Sequence, residues 1–212
     1  MVKDWIAWHA AYDDPESALS KRLDVVVGII ATALDAAPKG DIRIVSLCAG
    51  DARDLARAAK AHPRAGDLVG CVVEFDQTLA ARAELSLSTI CPRIDVRCAD
   101  AGASSSFADA LPADLVLLAG IFGNVSDADI QHTIDQIPAM CRAGATVVWT
   151  RHRRPPDLTP MIRSWFAEVG CKPGRFESPG SDKFAVGSET YTGETADDPV
   201  SPRLFEFRDD LW

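Results

Sequence analysis

The chain has 212 residues, 47% hydrophobic and 25% charged, which is enough for one globular domain with a sizeable core. Its formal net charge of −9 argues against DNA or RNA as a partner, because nucleic-acid-binding surfaces are basic. No apolar run approaches the roughly 18–20 residues of a membrane-spanning helix, and residues 1–10 lack the pattern of a signal peptide. We therefore expect a single cytoplasmic domain over 1–212, without a membrane partner, as a monomer or a homodimer.

The N-terminal part, 1–38, is predicted to be a helical segment ahead of the main fold. It starts with an aromatic stretch, 5–14, and continues as a long amphipathic helix that ends at Pro38. The stretch is a candidate lid over a ligand, with Tyr12 reaching a cofactor and His9 the acceptor. Alternatively, its tryptophans only dock the first helix, or the stretch forms a dimer contact.

Five short apolar runs alternate with helical patterns in the main fold, 42–212, and suit buried parallel strands. These runs are 42–48, 68–73, 94–98, 115–119 and 145–149. Two more strand-like runs, 184–187 and 204–207, have no helical pattern between them, which predicts a terminal antiparallel pair. The pattern predicts an α/β protein, a Rossmann-like three-layer sandwich with a seven-stranded, mostly parallel sheet and a C-terminal antiparallel hairpin.

Two of the intervening helices have recognisable starts. An apolar face that includes Ile130 and Cys141 predicts one helix, with Ser126 as its N-cap. Thr159 is predicted to cap a second helix, with Pro160 at its first position. The six cysteines include no Cys-x-x-Cys pair and do not cluster with the four histidines, so no metal site is expected.

Ligands of an open parallel sheet bind beyond the carboxyl ends of its strands. The turn after the first strand is made of small residues around Gly50, which let a ligand approach the backbone but also suit any tight turn. After the second strand, Glu74 can accept both hydrogen bonds of a ribose diol. The alternative is that Asp76 caps the next helix and Glu74 is merely exposed.

The next two strand ends carry weaker candidates. Asp100 can accept a hydrogen bond from an exocyclic amine such as that of adenine, or it is an ordinary solvated loop acid. Gly120 and Gly123 flank Phe122, which either forms a wall beside a ligand or belongs to the core. The full set of candidate cofactor-binding residues is Tyr12, Cys48, Ala49, Gly50, Asp51, Glu74, Phe75, Asp100, Ala101, Ala119, Gly120 and Phe122.

A basic run follows the fifth strand, on the side where an acceptor is expected. Its guanidinium groups either bind an anionic acceptor or pair with nearby acids such as Asp51 and Asp54. The candidate acceptor-binding residues are Arg151, Arg153, Arg154 and Asn124, and the candidate bases are His152, Asp157 and His9.

This combination resembles the class I S-adenosylmethionine-dependent methyltransferases over 42–171, and more loosely over the final strands. That family has an acid at the end of the first strand and then three spaced glycines. Here Ser46 stands in place of the acid, Cys48 of the first glycine and Ala52 of the third, while Gly50 is unchanged. Within the family, the chain is similar to small actinobacterial methyltransferase-like proteins with an aromatic N-terminus and an Arg-His-Arg-Arg run.

The resemblance implies S-adenosylmethionine as cofactor and S-adenosylhomocysteine as product. It implies that Glu74 holds the ribose hydroxyls, that Asp100 and Ala101 meet the adenine, and that Gly50 and its neighbours contact the methionine portion. The implied activity is methyl transfer to an O or N atom of a small molecule, with an anionic acceptor as one reading.

Two other functions stay open. One is a protein that binds the same cofactor for other chemistry or without turnover. The second is a nicotinamide dinucleotide oxidoreductase, which shares the turn and the ribose acid. Pyrophosphate binding, however, normally needs glycine at the positions of Cys48 and Ala52.

Overall fold

The computed structural model describes residues 10–178 and 184–208, and within them one sheet has the strand order β3-β2-β1-β4-β5-β7-β6. Its strands are β1 (Ile42–Leu47), β2 (Leu68–Glu74), β3 (Ile94–Cys98), β4 (Ala113–Leu118), β5 (Cys141–His152), β6 (Cys171–Glu177) and β7 (Phe184–Tyr191). The first five pair in parallel, and β7 pairs antiparallel with both β5 and β6. The predicted seven-stranded, mostly parallel Rossmann-like sheet is confirmed.

Helices cover both faces of this sheet. They are α1 (Ala18–Ala36), α2 (Arg53–Ala59), α3 (Gln77–Leu87), α4 (Asp127–Asp135), α5 (Ile137–Met140) and α6 (Thr159–Glu168). A 3-10 helix, Ala10–Asp13, precedes α1. Among the described residues, no helix is both long and apolar enough to cross a bilayer. His9 and the two tryptophans of the predicted lid lie outside the described residues.

Two apolar clusters sandwich the sheet, because successive side chains of a strand point to opposite faces. Val45 and Leu47 of β1 contribute to one cluster, which also holds Trp149 and residues of α4, α5 and α6. Ile44, on the opposite face, belongs to the second cluster with residues of α1, α2 and α3. The three-layer arrangement leaves the carboxyl ends of β1 to β5 together at one edge of the sheet.

The predicted antiparallel pair of 184–187 with 204–207 is wrong in its second member. The hairpin partner of β7 is β6, whose residues 172–175 are exposed and include Pro173 and Gly174. Such an edge strand has no apolar alternation for a sequence pattern to detect. Leu204 and Phe205 are fully buried, but they are held by loop contacts such as the bond from Leu204 N to Gly102 O (2.8 Å) rather than by a strand ladder.

The fifth strand is also longer than the run 145–149 predicted. It begins at Cys141, which the helical pattern had assigned to a helix face, and it includes Arg151 and His152. Seven consecutive residues of β5 pair with β7, and this ladder extends the strand beyond its apolar centre. The predicted N-cap at Ser126 is confirmed, since its hydroxyl accepts from Asp129 N at 3.0 Å.

Candidate functional site

The turn between β1 and α2 has a strained backbone. Cys48, Gly50 and Ala52 all have positive φ angles, of 55°, 59° and 53°. A left-handed conformation costs a residue with a side chain about 1–2 kcal/mol, so it persists only where the surroundings hold it. These positions are the ones that glycine occupies in the resembled family, and the turn therefore keeps the left-handed path with glycine at only one of the three positions.

Glu74 ties this turn to the end of β2. Its Oε2 accepts a hydrogen bond from Gly50 N at 2.8 Å, and its Oε1 accepts one from Asp76 N at 2.9 Å. The side chain is only 9% exposed. Burial raises the pKa of this carboxyl, and the backbone hydrogen bonds from Asp76 and Gly50 act in the opposite direction. Glu74 thus holds the backbone of the site together, and the alternative in which its side chain is merely exposed is wrong.

The two residues after Glu74 have distinct environments. The carboxylate of Asp76 accepts from Thr78 N and Leu79 N, which makes it the N-cap of α3, as the alternative interpretation proposed. Phe75 lies at the carboxyl edge of the sheet with 78% of its surface exposed. An aromatic ring left in water beside a buried carboxylate offers a flat apolar surface to a ligand.

The end of β3 brings Asp100 into the same neighbourhood. Asp100 is about half exposed, and its carboxylate accepts from Gly102 N at 2.8 Å and from Arg203 Nη1 at 2.5 Å. Ala49 N donates to Val73 O and Ala99 N to Glu74 O, both at 3.0 Å, so the ends of β1, β2 and β3 form one cluster. Burial and then the charges of Glu74 and Asp100 raise the pKa of the Cys48 thiol. Ala101, next to Asp100, is buried.

The end of β4 is mostly occupied by internal contacts. Gly120 N donates to Thr150 Oγ1 at 2.8 Å, and the amide of Asn124 donates to Gly120 O. Phe122 is fully buried and packs against Trp149, with 6.3 Å between the ring centroids. Phe122 therefore belongs to the core, which was the alternative to a wall beside a ligand.

Two of the three arginines of the basic run are bound internally. Arg151 donates to Phe122 O and lies 3.6 Å from the carboxylate of Asp127. Arg153 pairs with Asp157 at 2.8 Å. Arg154 is exposed and has no ion pair with any residue that the structure describes. The alternative in which arginines of this run pair with nearby acids therefore holds for Arg151 and Arg153, but the acids are Asp127 and Asp157. Asp51, one of the acids named as examples, is bound by Arg53 instead.

The two described candidate bases differ in their surroundings. His152 is partly buried, and its buried Nδ1 has no hydrogen-bond partner among residues 10–178 and 184–208. Burial, followed by the charges of Arg151 and Arg154, lowers its pKa, which keeps the imidazole neutral at pH 7. Burial acts to raise the pKa of Asp157, but hydrogen bonds from Thr159 and Arg153 lower it. Asp157 also accepts from the N–H of Thr159 at 3.0 Å. The predicted cap at Thr159 is wrong, because Thr159 is the first residue of α6 and Leu158 occupies the N-cap position.

The N-terminal segment meets the strained turn through a charged cluster. Arg53 binds the carboxylate of Asp51 with both Nε and Nη2, at distances of 2.5–3.0 Å. The ring of Tyr12 stacks on Arg53, with 4.7 Å from Cζ to the ring centroid. Arg22 Nη2 donates to Tyr12 Oη at 2.5 Å.

The roles of Arg22 and Arg53 were missed by the sequence reasoning. A signal for Arg22 was present, because it lies on the face of α1 that buries Leu19, Leu23 and Val26. A long cation on such a face needs a buried partner.

Among the described residues, no group of three or more His, Cys, Asp or Glu side chains is placed to hold a metal ion.

Comparisons with known proteins show a shared fold. No protein-family model matches the sequence, and no curated protein matches it. An O-methyltransferase family protein from Burkholderia thailandensis is similar in structure with a TM-score of 0.65 and 16% identity, over 89% of this chain and 60% of that one. This chain therefore spans less than two thirds of that protein.

Two further solved structures extend the comparison. Magnesium protoporphyrin IX methyltransferase from Synechocystis PCC 6803, solved with bound S-adenosylmethionine, has a TM-score of 0.65 and 9% identity, covering 89% of this chain and 91% of that one. The CurJ carbon methyltransferase has a TM-score of 0.59 and 12% identity, covering 81% and 54%. At these identities, the similarity establishes the Rossmann-like fold of these methyltransferases for the present chain.

Proposed function

We propose that this protein binds S-adenosylmethionine and transfers its methyl group to an O or N atom of a small molecule, releasing S-adenosylhomocysteine. The observation that carries the proposal is the cluster at the ends of β1, β2 and β3. There a left-handed turn, a buried carboxylate bound to that turn and an exposed aromatic ring meet at one edge of the sheet. A Rossmann-like sheet binds its ligands at this edge.

The residues of the cluster fit the adenosine part of the cofactor. Each carboxylate oxygen of Glu74 accepts one backbone N–H and has a further lone pair for a ribose hydroxyl. The exposed ring of Phe75 offers a stacking surface for the adenine, and Asp100 an acceptor for its amine. The turn around Gly50, with Cys48, Ala49 and Asp51, is assigned to the methionine portion. Ala101, Ala119 and Gly120 complete the proposed lining.

The chemistry needs little from the protein beyond alignment and proton removal. When bound, S-adenosylmethionine supplies a methyl group already activated on a sulfonium ion. The chain's own task is to hold the acceptor in line and, for a hydroxyl or ammonium nucleophile, to accept its proton. Neutral His152, with a lone pair available at pH 7, suits that task better than Asp157, whose oxygens already bind Arg153 and Thr159. His9 stays a proposal outside the described residues.

Acceptor binding is proposed for the ends of β4 and β5. Asn124, Arg151 and Arg153 are engaged in internal bonds, so an anionic acceptor would rely first on the exposed Arg154. A small-molecule partner and a monomer or homodimer remain part of the proposal. So does a cytoplasmic location.

Calorimetry with S-adenosylhomocysteine, S-adenosylmethionine and NAD tests the cofactor assignment. We expect S-adenosylhomocysteine to bind in the micromolar range, about −8 kcal/mol, with no detectable binding of NAD. NAD binding alone would favour the oxidoreductase, and no heat with any of the three at millimolar concentration would refute the cofactor assignment. A methyl-transfer assay over a panel of small hydroxyl and amine metabolites then separates turnover from binding without turnover.

A further inference from the structure

Residues 203–208 form a strap along the edge of the sheet where the strands end. Leu204 is fully buried and anchors the strap in the core. Its N–H donates to Gly102 O at 2.8 Å, just after β3, and Arg208 N donates to Asn124 O at 3.0 Å, in the loop after β4. The strap therefore connects the end of β3, where the adenine is proposed to bind, with the end of β4.

The strap packs where the chain between β3 and β4 is short of helix. That connection, 99–112, is described in full and contains only two 3-10 helices, Ser104–Ser106 and Ala108–Ala110. Thr133 Oγ1 of α4 donates to Leu204 O at 3.2 Å. Leu204 joins the same apolar cluster as residues of this connection and of α4, so the strap completes the cover of the core at this place.

A glycine allows the strap to approach Asp100 closely. A Cβ at Gly102 would collide with the carbonyl oxygen of Phe205 and would lie 3.0 Å from Arg203 Nη1. In the space that glycine leaves, Arg203 Nη1 reaches Asp100 Oδ2 at 2.5 Å, while Gly102 N donates to Oδ1 at 2.8 Å. The carboxylate is thus held from two directions, by its own loop and by the strap.

The pair of Arg203 and Asp100 has little to offer stability. Both side chains are about half exposed, and ion pairs in water are weak because solvent screens them. The burial of Leu204 already anchors the strap without the pair. What the pair does change is the freedom of the Asp100 carboxylate, since an exposed side chain loses rotamer entropy when a ligand fixes it.

We propose, resting on the function proposed above, that Arg203 is a positioning residue that fixes Asp100 as the acceptor for the 6-amino group of adenine. Each carboxylate oxygen accepts one hydrogen bond within the protein and has a further lone pair for the ligand. A fixed acceptor favours a base with an amino group at this position. It disfavours a base with a carbonyl oxygen there, because two acceptors then face each other. Arg203 thereby sets the preference for adenine over hypoxanthine.

The first test compares two probes by calorimetry, S-adenosylhomocysteine and S-inosylhomocysteine, in which a carbonyl oxygen replaces the 6-amino group. We expect the wild type to prefer S-adenosylhomocysteine at least tenfold, and Arg203→Ala to reduce this preference at least threefold. The matched control is Arg93→Ala, which removes an arginine at the opposite end of β3 whose pair with Asp41, at 2.7 Å, is similarly exposed. The control should keep the wild-type preference within twofold.

The second test is a double-mutant cycle, which shows whether Arg203 acts through Asp100. We expect Arg203→Ala to weaken S-adenosylhomocysteine binding at least fivefold in the wild type. In an Asp100→Ala background, the same change should alter the affinity by less than twofold. A merely structural role of Arg203 would instead give equal losses in both backgrounds.

The outcomes separate this inference from the function on which it rests. An unchanged or increased preference for S-adenosylhomocysteine in Arg203→Ala, or equal losses in the cycle, would overturn the inference. So would a wild type that binds both probes equally well, although the cofactor assignment would stand. A wild type that binds neither probe would refute the proposed function as well. Should Arg203→Ala or Asp100→Ala fail to fold, Arg203→Gln and Asp100→Asn replace them with the same expected directions.

Discussion

Replacing Glu74 with alanine separates the two roles that the structure gives this side chain. One role is internal, because the carboxylate accepts from Gly50 N and Asp76 N at 2.8 and 2.9 Å. The second is the proposed contact with the ribose hydroxyls. Glu74→Ala removes the acceptor of two backbone N–H groups as well as the ligand contact, so we expect both stability and cofactor affinity to fall.

The expected magnitudes follow from the bonds lost. A hydrogen bond to a charged group contributes about 1.5–3 kcal/mol. Water that enters the emptied space will accept hydrogen bonds from the two backbone N–H groups and so reduce the loss. We expect Glu74→Ala to lower the free energy of unfolding by about 2–3 kcal/mol. Affinity for S-adenosylhomocysteine should fall by about 1.5–3 kcal/mol, which is roughly 10- to 150-fold.

Urea unfolding and calorimetry on the same preparations measure the two effects. Asp76→Ala is the matched control, because it removes a neighbouring acid that caps α3 through Thr78 N and Leu79 N. It should cost about 1 kcal/mol of stability and leave affinity within twofold. The reasoning is refuted if Glu74→Ala binds S-adenosylhomocysteine as well as wild type while Asp76→Ala does not bind it, since Asp76 would then be the ribose acid.

Three other perturbations test the framework around the site by urea unfolding. Ala52→Gly, at a left-handed position, should be at least 1 kcal/mol less destabilising than Ala56→Gly inside α2; equal losses would contradict the strain at Ala52. Glu189 is 2% exposed, and burial raises its pKa to about 7, so it binds a proton more tightly in the folded state. Wild-type stability should therefore fall with rising pH by about 2–3 kcal/mol relative to Glu189→Gln between pH 5 and 8, and parallel pH profiles would argue against it. Arg151→Ala should cost about 2 kcal/mol, because it leaves a buried carbonyl without its donor, whereas exposed Arg154→Ala should stay within about 0.5 kcal/mol; similar losses would mean that Arg154 is also structural.

The parts of the fold that sequence patterns predicted are those with continuous apolar runs. β1 to β4 lie within about two residues of their predicted bounds, because buried parallel strands are apolar at nearly every position. The apolar patterns did not reveal β6, because it is an edge strand and most of its residues are exposed rather than packed in the core. The sequence around Leu204 and Phe205 has the pattern of a strand. The two residues are buried, however, because the loop that carries them packs against the core.

The residues of the candidate site also fall into those that local sequence predicted and those that it did not. Residues such as Glu74 and Asp100 were found from sequence because their place depends on a local fact, the end of a strand. Some partners of arginines could not be found, because a guanidinium on a long side chain can reach acids far away in the chain. Arg203 reaches Asp100, which is 103 residues distant, and nothing in either local sequence encodes that pair.

The turn after β1 shows how a backbone holds a left-handed conformation at two residues that are not glycine, Cys48 and Ala52. Cys48 packs against the apolar cluster on one face of the sheet, and Ala52 is buried in the cluster on the other face. Their side chains anchor the two ends of the turn in separate parts of the core, which offsets a conformational cost of about 1–2 kcal/mol for each. Glycine would relieve that cost but would also free the backbone in the absence of ligand. Anchoring makes the turn rigid before a ligand binds, and a rigid turn holds Gly50 N on Glu74, Asp51 on Arg53 and the approach to the sheet edge in fixed relative positions.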